Sequence, residues 1–331
     1  MKSLVALLFI CICLLISELQ TDIWNDPHKI PIPLGLDLHM PVPEENLPTK
    51  EKIELGEKLF FDSRLSKDLT VSCASCHKPE FGFADTSAVS IGIDAQTGLR
   101  NVPTLINRAY GRMFSWDGRA QTLEEQVLLP ISNPIEMDMN IDELVKRLQE
   151  IPEYKEAFRR TYDSGVTVEG ISFALSTYIR TILSGNSIFD LYMHGETDTF
   201  PPPVLRGLQL FRGKANCTNC HVGPNFTDEQ FHNTGVAFTN SSFADKGRYR
   251  ITEDESDTGV FKTPTLREIE HTPPYMHDGN IKTLEEVIEF YNRGGNPNPY
   301  LSNEVEPLDL TDDEKRDLIE FLRSLSGEGW R

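Results

Sequence analysis

The pattern Cys-x-x-Cys-His occurs twice in this chain, at residues 73–77 and 217–221. In this pattern two thiols add across the vinyl groups of a porphyrin and the adjacent histidine ligates the iron, so it is the attachment signature of c-type haem. Cysteine and histidine also bind zinc, but the sequence offers no further Cys–His pairs to complete a tetrahedral set. The chain is therefore predicted to carry two covalent haem c groups, held by Cys73, Cys76, His77, Cys217, Cys220 and His221.

Residues 1–19 are typical of an export signal, because Lys2 precedes an apolar run from Leu4 to Ile16. That run is too short for a comfortable membrane span, and no later stretch is apolar enough to cross a bilayer. The two cysteines outside the haem motifs lie in this segment, so none is left for a disulfide. Covalent haem in an exported chain fits a periplasmic or other extracytoplasmic location; retention of the segment as an anchor is the alternative.

The chain has 51 acidic and 32 basic residues, which gives a formal net charge of −19. Nucleic-acid binding needs a basic surface, so this balance excludes it. An acidic surface attracts a basic partner such as a small electron-donor protein. Solubility alone explains the charge equally well.

Proline-rich stretches divide the chain into segments. Prolines between residues 27 and 48 favour an extended conformation over residues 20–48. Three consecutive prolines end a hinge at residues 195–203. We therefore expect an N-terminal domain over residues 49–200 and a C-terminal domain over residues 204–331.

The apolar periodicity within both domains is helical. Helices are predicted over residues 50–61, over residues 168–184, and from a Thr-x-x-Glu capping box at Thr311 to near Gly327. Alternating strand patterns are scarce. The predicted fold class is all-α.

Short strings recur in the two halves at an offset of 161 residues, which indicates an internal duplication. They are Pro-Thr-Leu (103–105 and 264–266), Asp-Gly (117–118 and 278–279) and Thr-Leu-Glu-Glu (122–125 and 283–286). Such register over more than twenty residues without a gap is hard to obtain by chance. The chain is therefore two related haem domains.

The repeat pairs Tyr291 with Pro130. A tyrosine oxygen can ligate haem iron, whereas proline cannot. The sequence thus predicts one iron closed by protein on both faces and one left open for a substrate such as peroxide. Tyr291 as a core aromatic residue and Met276 as the ligand are alternatives, with Met193 and His194 as weaker ones.

Trp116, Gln126 and Glu136 are further candidates for chemistry. Trp116 lies in the chain interior and could relay electrons between the haems, or simply pack in the core. His277 takes its place in the second repeat. Gln126 and Glu136 bracket Pro130, and a positioned carboxylate can move the proton that O–O cleavage requires. A solvated loop acid is the alternative for Glu136.

Beyond the haem motifs, the strings Trp-Asp-Gly-Arg-Ala (116–120), Asn-Pro-Ile-Glu-Met (133–137) and Pro-Tyr-Met-His-Asp-Gly (274–279) stand out. With them the chain resembles the bacterial di-haem cytochrome c peroxidases over roughly residues 45–327. The resemblance implies two cytochrome c-like domains in tandem. It places a peroxide-reacting haem in the N-terminal half and an electron-transfer haem in the C-terminal half.

The resemblance also implies roles for individual residues. The proximal iron ligands would be His77 and His221, and Trp116 would bridge the haems. Gln126 and Glu136 would form the distal pair at the first haem. A calcium ion between the domains would be held by Asn101, Thr272 and the backbone carbonyl of Pro274, an oxygen-only set that suits calcium.

Two departures from the peroxidase pattern favour the branch of the family that contains MauG. Tyr291 stands where the peroxidases place methionine, and residues 90–94 lack their distal histidine. The first haem should then be open without prior reduction. MauG also oxidises a partner protein through a tryptophan just before its second haem motif. Ala215 stands there in this chain, which puts that route in doubt.

The sequence therefore predicts an exported di-haem c-type peroxidase that reduces hydrogen peroxide at the His77 haem. Electrons would come from the His221/Tyr291 haem, supplied by a c-type cytochrome or a cupredoxin. A MauG-like oxidase that acts on a partner protein or metabolite is the first alternative. A di-haem electron carrier, with both irons six-coordinate, is the second.

Overall fold

The computed structural model describes residues 30–330, so the predicted export signal lies outside it. The described chain is mainly helical, with α1–α12 at Lys50–Phe60, Cys73–Cys76, Leu123–Gln126, Leu129–Ser132, Ile141–Glu150, Pro152–Thr161, Val168–Arg180, Ile188–Met193, Pro202–Arg212, Tyr249–Thr252, Leu284–Asn292 and Asp312–Arg323. Short 3-10 turns lie at Glu44–Asn46, Ser63–Leu65, Pro79–Phe81, Ile93–Ala95, Arg108–Tyr110, Cys217–Asn219, Glu255–Asp257 and Ile269–His271. Within residues 30–330 no helix is long and apolar enough to cross a membrane.

The structure departs from the all-α expectation in one segment of the C-terminal half. Strands β1 (Phe231–His232) and β4 (Phe261–Lys262) pair antiparallel, as do β2 (Phe238–Thr239) and β3 (Ser242–Phe243). The β2–β3 hairpin turns through two residues with positive φ, 50° and 61°. That is the geometry of a tight hairpin turn, and these two-residue strands are too short to give a sequence periodicity.

Each half is built on one pair of packed helices, α1 with α7 and α9 with α12. A glycine lies at each contact. A Cβ atom on Gly56 would lie 1.9 Å from the Ala174 carbonyl oxygen, and one on Gly207 would lie 2.0 Å from the Asp317 carbonyl oxygen. Only glycine allows backbones to approach this closely. Both halves therefore share the same close helix contact at a glycine.

The internal duplication is visible in the backbone. Equivalent antiparallel bridges close the same loop in each half, between Phe114 and Ala120 and between Tyr275 and Ile281. The residue after the first member of each bridge has a positive φ, 64° in the first half and 70° in the second. The threonine of each Thr-Leu-Glu-Glu string caps the helix that follows. The predicted repeat is confirmed.

The two halves meet through a pair of equivalent backbone hydrogen bonds. The Asn101 N–H donates to the His277 carbonyl over 2.7 Å, and the Lys262 N–H donates to the Trp116 carbonyl over 2.8 Å. Donors and acceptors are each separated by the repeat offset of 161 residues, so exchanging the halves exchanges the bonds. This reciprocity is the mark of a two-fold interface. The contact between the halves is therefore pseudosymmetric.

Ion pairs with little exposure to solvent also join the halves. Arg100 of the first half lies 2.6 Å from Asp117 in its own half and 2.6 Å from Asp245 in the second. Arg108 contacts Glu229 across the interface at 2.8 Å. Removing one partner of a buried pair leaves an uncompensated charge. These contacts therefore fix the orientation of the halves.

Hydrogen bonds tie residues 185 and 186 to segments that precede the first helix and follow the last one. The Leu34 N–H donates to the Asn186 side-chain oxygen, and the Asn186 N–H donates to the Leu34 carbonyl, each over 2.9 Å. Gly185 and Glu328 exchange backbone hydrogen bonds of 3.3 and 2.7 Å. The Gly185–Glu328 pair thus adds a further contact between the two halves.

The predicted helices are present, and all three end earlier than expected, at Phe60, Arg180 and Arg323. Helices α1 and α12 begin at Lys50 and Asp312, and α12 carries its predicted capping box. Helix α7 ends at Arg180, and Ser184 beyond its end bonds a loop of the same half. Its N–H and carbonyl both bond the Asn107 side chain, at 2.8 and 3.0 Å.

We expect Gly56→Ala and Gly207→Ala each to destabilise the protein by about 1–3 kcal/mol, because the added methyl group overpacks a helix contact. Urea unfolding of the holoprotein measures this as a lower midpoint. Glu54→Ala, at an exposed position of α1, is the control. Glycine variants with the midpoint of this control would contradict the packing account.

Candidate haem sites

The two Cys-x-x-Cys-His motifs fold alike although one forms the short helix α2 and the other a 3-10 turn. The histidine N–H donates to the carbonyl of the first cysteine, over 2.9 Å in residues 73–77 and 2.8 Å in residues 217–221. All four cysteines are free of disulfides, as the attachment chemistry requires.

Each motif histidine is held by a backbone carbonyl. His77 Nδ1 lies 3.0 Å from the Phe83 carbonyl oxygen, and His221 Nδ1 lies 2.7 Å from that of Phe226. Both phenylalanines adopt positive φ, 54° and 52°, which turns their carbonyls toward the rings. An Nδ1–H that donates to a carbonyl fixes the tautomer and leaves Nε2 for a metal. The residues therefore fit haem iron at both motifs.

Burial lowers the pKa of His77 and of His221, while the hydrogen bonds to the Phe83 and Phe226 carbonyls oppose this shift. Burial disfavours the charged imidazolium. A neutral imidazole is the form that ligates iron. The environment of both rings thus suits a proximal ligand.

The loop of residues 90–94 lies at the first haem motif. The Cys76 sulfur lies 3.8 Å from the Ile91 carbonyl oxygen, and the Ile93 N–H donates to the Glu136 carbonyl over 2.9 Å. A Cβ atom on Gly92 would lie 2.7 Å from the Glu136 Cα. The loop that lacks a histidine therefore brings Glu136 to the first motif.

Glu136 is a half-buried acid with one oxygen engaged. Asn133 Nδ2 donates to Glu136 Oε1 over 2.9 Å. Burial raises the pKa of Glu136, and the charge of Arg119 and the Asn133 hydrogen bond oppose the rise without cancelling it. The group therefore keeps its proton to a higher pH than an exposed glutamate, which suits a proton donor.

Gln126 and Pro130 lie where the first-half helix breaks. Helix α3 ends at Gln126, and Pro130 is the second residue of α4, where its missing N–H costs no hydrogen bond. Ser115 Oγ donates to Gln126 Oε1 over 2.7 Å. The Gln126 side chain is thus held in a fixed orientation beside the break.

In the second half the equivalent helix, α11, continues unbroken and carries Tyr291. Burial raises the pKa of the Tyr291 hydroxyl, and the thiols of Cys220 and Cys217 add to the rise, so the hydroxyl lies near the second haem motif. A phenol with a raised pKa ionises when a cation such as iron stabilises the phenolate. The alternative Met193 is 48% exposed on α8, which is unfavourable for an axial ligand.

Trp116 lies at the interface between the halves. Its Nε1 donates to the Asn101 carbonyl over 2.8 Å, and its ring centre is 6.5 Å from that of His277. His277 stacks on Phe261 at 3.7 Å between ring centres. A chain of π-systems therefore crosses the pseudosymmetric contact.

Of the three residues matched to a calcium site, Asn101 lies at this interface. Asn101 Nδ2 donates to the carbonyls of Ser87 and Ala88, at 3.2 and 3.3 Å, which leaves Oδ1 as a potential ligand. The Asn101 N–H bonds His277, which follows Thr272 and Pro274 closely in sequence. The calcium site therefore stays a prediction.

One other cluster brings possible metal ligands together. Cys220, Asp228 and His232 place one ligand atom each within 4.8 Å of one another. His232 Nε2 and Asp228 Oδ2 already pair at 2.9 Å. Because the Cys220 sulfur belongs to a haem attachment motif, this trio is better described as the surroundings of the second haem.

Sequence models of two families match the chain. One described as di-haem cytochrome c peroxidase matches residues 50–198, and one described as cytochrome c matches residues 204–326. The methylamine utilization protein MauG of Methylorubrum extorquens is 39% identical over 291 residues, which cover 87% of this chain and 82% of that protein. The chain belongs to the di-haem cytochrome c peroxidase family.

Other relatives agree with this family. The cytochrome c551 peroxidase of Nitrosomonas europaea is 37% identical over 278 residues, 83% of this chain and 80% of that protein. A solved structure described as a MauG-like protein associated with microbial copper homeostasis has a TM-score of 0.82 and 33% identity, covering 93% of this chain and 96% of that one. Membership in the family confirms an oxidoreductase with covalent haem c on two tandem cytochrome c-like domains.

Several residues that hold the sites of this di-haem protein were not predicted from the sequence. Ser115 and Asn133 hold the two distal candidates, and the carbonyls of Phe83 and Phe226 hold the motif histidines. Asn133 begins the string Asn-Pro-Ile-Glu-Met (133–137), and Ser115 directly precedes Trp116. The carbonyl contacts left no signal, because any residue type supplies a carbonyl.

We expect Tyr291→His and Tyr291→Met to raise the reduction potential of the second haem, because an anionic phenolate stabilises the oxidised iron more than a neutral ligand does. Spectroelectrochemical titration measures the potential. Tyr300→Phe, at an exposed tyrosine of the same half, is the control. An unchanged reduction potential in both Tyr291 variants would contradict ligation of the iron by this side chain.

Proposed function

We propose that this protein is an exported di-haem peroxidase that reduces hydrogen peroxide at the His77 haem. The observation that carries the proposal is the asymmetry between two otherwise equivalent halves. The first has Pro130 at the helix break, with Glu136 beside its haem motif, and the second has Tyr291. An open iron next to a proton donor suits a substrate site. A closed iron suits electron storage.

Haem, when bound, supplies the redox centre that passes two electrons to peroxide. The overall reaction, hydrogen peroxide plus two protons and two electrons giving two waters, needs protons at both oxygens. Glu136, with its raised pKa, donates and recovers a proton at the substrate. Gln126 contributes a hydrogen-bonding amide to the same haem, and Asn133 holds the Glu136 carboxyl in place.

The interface supports an electron path between the haems. Trp116 is fixed at both its indole nitrogen and its carbonyl, by Asn101 and Lys262. A fixed ring keeps its electronic contact constant. Calcium bound by Asn101, Thr272 and Pro274 would add a second tie at this point, because its ligands come from both halves. A c-type cytochrome or a cupredoxin would supply the electrons.

A MauG-like oxidase that acts on a partner protein or metabolite is the second candidate. Tyr291 and the histidine-free loop at residues 90–94 favour it. So does the similarity to MauG and to a MauG-like protein. Ala215, buried before the second haem motif, cannot serve as a redox-active surface residue, so such an enzyme would need another route to its substrate.

Steady-state assays separate the two candidates. We expect rapid peroxide consumption when a reduced small cytochrome or cupredoxin is present, with two donor electrons oxidised per peroxide. Peroxide consumption that needs a protein or metabolite substrate, with no turnover of any reduced carrier, would favour the oxidase instead.

We expect Glu136→Gln to lower the rate constant for reaction with peroxide about 100-fold or more, because the amide cannot donate and recover a proton. Stopped-flow absorbance of the haem bands measures this step. Asp138→Asn is the matched control, since that acid forms a surface ion pair with Lys67. Equal rate constants for Glu136→Gln and Asp138→Asn would contradict a role of Glu136 in proton transfer.

A further inference from the structure

The hydrogen bond between Ser115 and Gln126 engages the oxygen of the Gln126 amide and so orients this side chain. Ser115 Oγ donates to Gln126 Oε1 over 2.7 Å. Within residues 30–330 the Ser115 hydroxyl forms no other hydrogen bond, and the Gln126 amide nitrogen forms none to protein. With its oxygen engaged, the amide presents only N–H donors to its remaining surroundings.

The second repeat shows that the backbone does not require this pair. Met276 takes the place of Ser115 with nearly the same φ, 70° against 64°. Val287 takes the place of Gln126. Both are partly buried and pack against the core of the second half. The polar pair therefore occurs only in the half that contains Glu136, so its presence follows the site and not the fold.

We propose that Ser115 is a positioning residue that fixes Gln126 with its N–H donors toward the substrate. This inference rests on the proposed open first haem. In this proposal the two side chains have separate roles. Gln126 donates a hydrogen bond to a bound oxygen or anion, and Glu136 alone exchanges protons. Without the Ser115 hydroxyl the amide is free to rotate and present its oxygen, which repels such a ligand.

Fluoride binding to the ferric protein tests this orientation without turnover. Fluoride binds an open ferric haem and accepts hydrogen bonds from nearby donors. Visible absorbance gives its dissociation constant for the wild type, Ser115→Ala, Gln126→Leu and the double variant. Ser115→Gly is added because glycine tolerates the positive φ at this position. Ser132→Ala is the control, since that hydroxyl bonds only carbonyls of its own helix region.

We expect Ser115→Ala and Ser115→Gly to weaken fluoride binding about 5- to 10-fold, the effect of one hydrogen bond. The double variant should bind no more weakly than Gln126→Leu alone, because Ser115 acts through Gln126. Unchanged or tighter binding in both Ser115 variants, or additive losses in the double variant, would overturn the proposal. A wild type that binds no fluoride would overturn the open first haem as well, and so distinguishes the two failures.

Discussion

The hydrogen bond from each motif histidine to a phenylalanine carbonyl is the constraint on which the rest of the structure depends. It is formed in the same way by His77 with Phe83 and by His221 with Phe226, each carbonyl turned by a positive φ. Both imidazoles are thereby offered to iron through the same nitrogen and with similar basicity. This shared hydrogen bond leaves the opposite side of each haem to set the main difference between them.

Because the chain contains an internal duplication, the difference between the two haem sites can be identified by comparing equivalent positions. The halves share their glycine helix contact, their capped helices and the reciprocal hydrogen bonds at their interface. Against this common background a few substitutions stand out: Pro130 for Tyr291, Ser115 for Met276, Gln126 for Val287 and Trp116 for His277. These exchanges alter hydrogen bonding, the π-systems at the interface and the course of one helix, which breaks near Pro130 and continues through Tyr291. The chain thus differentiates two copies of one scaffold mainly through side chains at equivalent positions.

Much of this was predictable from the sequence. Covalent attachment and helix capping depend on local residue patterns, so the haem motifs, the Thr311 capping box and the repeat could be identified before the structure was known. The contact of Ser184 with Asn107 beyond the end of α7 could not, because it joins residues across a long stretch of sequence. The orientation of Gln126 was equally inaccessible, since a serine next to a tryptophan has no signal of its own. Short β-strands and carbonyl contacts likewise arise from tertiary structure.

The spin state of the oxidised protein, recorded by magnetic resonance before and after adding hydrogen peroxide, tests the central asymmetry most directly. An open first iron and a tyrosine-capped second iron predict two distinct ferric signals in the resting protein, one of them high-spin and lost when peroxide is added. Two low-spin haems in the resting protein, with a spectrum that peroxide leaves unchanged, would contradict the account and favour an electron carrier.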